Sequence, residues 1–82
     1  MYMAIWRINM DSRDFEQYRK RLVNRGFIPT NYFSANGFNI KKMKELALAG
    51  KMDAMQCVVG NSIRWYYCED QAELARLRGE LS

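Results

Sequence analysis

Residues 38–68, FNIKKMKELALAGKMDAMQCVVGNSIRWYYC, read as a short basic helix that runs through a tight turn into a β-hairpin. Asn39 has the side-chain oxygen an N-cap needs. With Asn39 in that role, Phe38 falls at N′ and Met43 at N4, the pair that forms a hydrophobic staple. Ile40, Met43 and Ala47, with Leu46 beside them, recur at three- and four-residue spacing and so share one face. Gly50 follows as a left-handed stop, and the spacing predicts an amphipathic helix over 39–49. Two runs of strand formers come next, 54–59 and 62–68, joined by Gly60 and Asn61, a dipeptide that suits a two-residue hairpin loop.

That loop fixes the register. Val59 pairs with Ser62, Val58 with Ile63, Cys57 with Arg64, Gln56 with Trp65, Met55 with Tyr66 and Ala54 with Tyr67. Alternation then gives one face of Ala54, Val58, Ile63, Trp65 and Tyr67, with Gln56 its only polar member, which is the natural core face. Met55, Cys57, Val59, Ser62, Arg64, Tyr66 and Cys68 lie on the other, so Arg64, Ser62 and Tyr66 are expected to point to solvent or a partner.

Upstream, residues 2–8 alternate as a strand that either pairs with the hairpin edge, making a three-stranded sheet, or serves as a dimerising arm. A helix follows over 11–25, with Asp11 as N-cap, Met10 and Phe15 as its staple, and Phe15, Tyr18 and Leu22 on one stripe. Its end is crowded with Arg19, Lys20, Arg21 and Arg25, where the helix dipole favours cations, and Gly26 stops it. Pro29 breaks the chain and Thr30 caps a short helix over 31–35. Downstream, Asp70 reads as an N-cap with Glu73 at N3, opening a helix over 70–78 whose stripe of Leu74, Leu77 and Leu81 packs on the hairpin; Gly79 is expected to fray it.

Eighty-two residues with 49% hydrophobic and 27% charged content describe one ordinary folded domain. A chain of this size buries only about 60–65% of the surface its unfolded form exposes, so its stability is modest. No apolar run approaches the roughly 20 residues of a membrane span, and no secretion signal opens the chain. Cys57 and Cys68 stand about 13 Å apart in the hairpin register, too far to bridge. Free thiols fit a reducing, cytoplasmic setting with no membrane association. With no histidine and two cysteines, neither a structural zinc site nor a histidine base is available, nothing pairs a nucleophile with a base, and no metal, cofactor or catalytic activity is expected. A net charge of +4 points to a polyanionic partner.

Residues 32–46, 49–54 with the Gly50-Lys51 step before the first hairpin strand, and 59–65 together resemble the winged helix-turn-helix of the excisionase and MerR-like DNA-binding families. The resemblance covers about half the chain. It implies a small α+β domain whose helices pack on a β-hairpin wing, with the N-terminal strand as a third, and 39–49 as recognition helix. It also implies operator-type or sequence-tolerant binding of duplex DNA by an architectural factor or small transcriptional regulator, as a homodimer, cooperatively along DNA, or with a recombinase or regulatory protein.

On that reading Lys41 and Lys44 enter the major groove, Lys42 and Lys51 flank it, and Asn61, Ser62 and Arg64 form the wing contacts. Lysines in the first turns of a helix are mildly unfavourable to the helix itself but favourable for a bound phosphate. Arg19, Lys20, Arg21 and Arg25 are further candidates for phosphate contact. Two alternatives stand beside this. The aromatic hairpin and N-terminal strand, through Trp6 and Tyr66, suit a protein interface, and aromatics beside Arg64 suit stacking on single-stranded nucleic acid.

Overall fold

The computed structural model describes residues 5–82; positions 2–4 of the expected first strand lie outside the described residues. The elements are β1 (Ile5–Met10), α1 (Ser12–Asn24), β2 (Phe27–Pro29), α2 (Thr30–Ala35), α3 (Ile40–Leu48), β3 (Ala54–Val59), β4 (Ser62–Cys68) and α4 (Glu69–Leu77). They form an α+β domain with one mixed sheet ordered β1-β3-β4-β2.

Local chemistry sets the helix ends. The Asp14 amide donates to Asp11 Oδ1 at 2.8 Å and the Lys42 amide to Asn39 Oδ1 at 3.2 Å, satisfying donors that a helix start leaves free. Phe38 and Met43 meet in one core cluster, as a staple should. After α3, Gly50 takes a φ of 75°, and the Lys51 amide closes back on the Leu46 carbonyl at 2.8 Å.

The hairpin has the register that its loop dictates, from Val59 opposite Ser62 to Ala54 opposite Tyr67. Gly60 alone carries the positive φ, 60°, which matches a type II′ loop with glycine first. Its setting differs from the expected wing. β1 lies parallel along β3 and β2 antiparallel along β4, so the hairpin is the central pair of a four-stranded sheet. β2 lies where the sequence predicts only a chain break at Pro29. Pro29 does end it, but Phe27 and Ile28 pair with Cys68 and Tyr67 first, and a proline is tolerated at the end of an edge strand.

Helices pack on both faces of the sheet. Phe15 and Leu22 of α1 close over Cys57 and Tyr66 on one side. On the other, Phe33, Met43, Ala47, Ala72 and Ala75 from α2, α3 and α4 enclose Ala54 and Tyr67. Tyr66 is therefore only 5% exposed, and the outward position expected for it is corrected: α1 needs an apolar floor and takes it, with Cys57, from that face. Burial pushes the Cys57 thiol up, away from reactivity.

The last helix also differs from expectation. It begins at Glu69 with Cys68 as N-cap and no side-chain cap, because β4 runs straight into it; the Glu69 amide bonds the Gly26 carbonyl at 2.9 Å. Reciprocal bonds between Gln71 and Asp53, at 2.6 and 2.9 Å, fix its rotation. Ala72 and Ala75 then face the sheet, and Leu74 and Leu77 are exposed, at 48% and 80%. Gly79 ends the helix in an ordered turn, with the Glu80 amide on the Ala75 carbonyl at 2.9 Å, which returns Leu81 to the core.

Candidate nucleic-acid interface

The helices on the α3 side cover only one end of the sheet. Alternation along the paired strands puts three rows on this side. The row Ile5, Ala54, Tyr67 and Ile28 lies under the helices, while the rows Arg7, Gln56, Trp65 and Asn9, Val58, Ile63 run on towards the hairpin loop. Ala54 and Tyr67 are buried in the first row; Ile63 in the last is 49% exposed, and Arg7 and Asn9 are open to solvent. The two outer rows make an open platform three strands wide. It carries one cation, two side-chain amides, two aliphatic side chains and one indole, and no carboxylate.

Trp65 is the centre of this surface. It stacks on Tyr67 with ring centroids 5.8 Å apart and planes 15° from parallel. Lys44 of α3 reaches across the edge of the platform and holds its ammonium 5.3 Å from the centre of the indole. Lys41 lies one turn earlier on the same exposed stripe of α3. Lys42 is turned towards Glu45, 3.7 Å away, in a surface pair that contributes about 0–1 kcal/mol and leaves it free to rearrange.

The structure therefore brings Lys44, with Lys41 on the same stripe, to the side of the platform, and Asn61 to its far end in the loop; Lys42 leaves the other flank of α3, towards Glu45. It does not bring all the expected contacts together. Arg64 and Ser62 belong to the opposite face, where the Arg64 guanidinium lies 5.2 Å over the Phe15 ring. Lys51 follows α3 at the helix-covered end of the sheet. The α1 cations also separate. Arg19 and Lys20 line a cleft with Pro29 and Tyr66, Arg21 lines another with Met10 and Tyr18, and Arg25 is exposed at the helix end. Trp6 is 46% exposed on the α1 side of β1, and Tyr66 is buried.

Sequence reasoning missed Arg7, Asn9, Gln56, Ile63 and Trp65 as members of one surface. One signal was present. Gln56 interrupts an otherwise apolar strand face, and its register partners across the sheet are Arg7 and Trp65. No protein-family model, curated protein or solved structure matches the chain.

Proposed function

We propose that this domain binds nucleic acid without catalysis, and that its main ligand is a single strand laid across the open platform. The observation that carries the reading is the half-buried Trp65 on an uncovered sheet face, flanked by Arg7, Lys41 and Lys44, with no acidic side chain among the platform positions. A base stacked on an aromatic side chain contributes about 1–3 kcal/mol. The Lys44–indole contact it displaces is worth about 0.5–1 kcal/mol, so the exchange favours the base. Lys44, on a flexible stem, is then free to meet a phosphate. Asn9 and Gln56 supply amides for base edges, and Val58 and Ile63 supply apolar floor.

A second reading uses the same lysines on duplex DNA. It follows the resemblance to winged helix-turn-helix regulators and excisionases, with α3 in the major groove and the hairpin loop beside it. Three exposed lysines in the first two turns of α3 support it. It asks for a hairpin that stands clear of the body, and here β1 accompanies β3 up to Val59.

The test is anisotropy titration of labelled single-stranded DNA, RNA and duplex across salt. Three phosphate contacts on a single strand give a slope near −2, or roughly 15- to 20-fold weaker binding between about 50 and 200 mM salt. Lys41→Ala and Lys44→Ala each flatten that slope by about 0.7. Preference for duplex moves the conclusion to the second reading; no complex with any of the three at low salt refutes both.

A further inference from the structure

The platform has an exit. β2 stops at Pro29, and among the described residues no strand lies alongside Ser62–Trp65 on that edge of β4. Thr30 touches it once, its hydroxyl donating to the Trp65 carbonyl at 3.1 Å. A depression of ≈ 430 Å³ sits against this bare edge and is walled by both faces of the strand: Ile63 and Trp65 from the platform side, Arg64 and Tyr66 from the α1 side.

Two further depressions, of ≈ 260 and ≈ 340 Å³, continue along α1 and share Pro29 and Tyr66 with the first. Arg64 and Arg19 line the nearer one, Arg19 and Lys20 the farther. Glu16, the only carboxylate among the lining residues, is held by Arg19 at 2.8 Å. Asn24 and Asn31 add amides to these walls. A cationic groove thus runs from the rim of the platform around an edge of the sheet.

We infer that a bound single strand leaves the platform over the bare edge of β4 and continues along α1, its phosphates meeting Arg64 and then Arg19 and Lys20. This rests on the platform reading above and extends it to a second, opposite face of the sheet. The path selects the ligand. The domain is only 22 Å across in its thinnest direction, and a duplex, stiff over about 150 base pairs, does not turn around an edge of that size. An unpaired strand does.

The experiment compares oligothymidylates of about 4 nucleotides, enough for the platform, and about 12, within the span that small single-strand-binding folds cover. The proteins are wild type and the Arg19→Gln/Lys20→Gln double variant, whose substituted side chains are exposed; an unchanged melting temperature confirms the fold. For wild type the longer strand shows a salt slope steeper by about 2, from three added phosphate contacts at about 0.7 each. The double variant loses about 1.4 of that slope on the longer strand and keeps wild-type affinity for the shorter. Equal slopes for the two lengths in wild type overturn the inference, as does an equal loss on both lengths or no loss on the longer. If wild type binds neither oligomer, the platform reading itself falls and takes the path with it.

Discussion

Replacing Trp65 with leucine separates the stacking surface from the charges around it. The substitution removes the indole from the platform and keeps an aliphatic side chain over Tyr67. Loss of one stacked base, about 1–3 kcal/mol, weakens single-strand binding roughly 5- to 150-fold. The fold loses a comparable amount. The Trp65–Tyr67 stack is worth about 0.5–1.5 kcal/mol and the Lys44 contact about 0.5–1 kcal/mol, so the destabilisation is roughly 1–2.5 kcal/mol. A domain of this size has about 4–12 kcal/mol in hand, so the variant stays folded at room temperature. Anisotropy titration with a labelled oligothymidylate, beside circular dichroism at the same temperature, reads both effects. Trp65→Phe keeps a stacking ring and lies between wild type and leucine. A folded Trp65→Leu protein that binds within twofold of wild type refutes the role of the indole.

Further outcomes follow from the same geometry. Lys44→Ala removes a phosphate contact but also uncovers the ring, so its binding curve is weaker than wild type at low salt and meets or crosses it at high salt, where the phosphate contribution is screened. Tyr67 is 1% exposed and burial pushes its pKa up to about 12, so the folded state holds the phenol proton more tightly than the unfolded one. That contribution is complete below pH 10 and is lost as pH rises from about 10 to 12, a fall of about 3 kcal/mol in unfolding free energy that alkaline denaturant titration reads. Asn39→Ala deletes the α3 cap and costs about 1 kcal/mol, a drop of roughly 4–8 °C in melting temperature. Phe33→Ala removes a fully buried ring that meets Phe38 and Tyr67 edge-on, at 5.2 and 6.0 Å, and costs about 3–5 kcal/mol.

Local signals in the chain were strong where one residue decides one bond. Asp11 and Asn39 cap the helices that follow them, and Gly60 fixes the loop and hence the register of β3 on β4. Long-range pairing was not legible. Nothing in residues 5–10 says that they lie parallel to β3 rather than antiparallel, or that Phe27 and Ile28 form a strand before Pro29, because both facts depend on where α1 lands. The α4 leucines misled for a related reason. Helical spacing identified a stripe of Leu74 and Leu77, but the rotation of α4 is set by Gln71 on Asp53 and by the small side chains of Ala72 and Ala75 against the sheet.

The run Trp65-Tyr66-Tyr67 shows how fold and candidate site depend on one another. Consecutive residues of a strand point to opposite faces, so three aromatics in succession expose at least one ring unless both faces are covered. Here α1 takes Tyr66 and the α2–α4 layer takes Tyr67, each nearly completely. Trp65 shares a face with Tyr67 but sits one row nearer the hairpin loop, at the margin of the helical layer, where it packs on the core cluster on one side and meets the Lys44 side chain of α3. The indole is thus held by its neighbour and left half-buried, with the Lys44 ammonium over it. Which of these three rings stays partly open to solvent is therefore determined by where the helical layer ends.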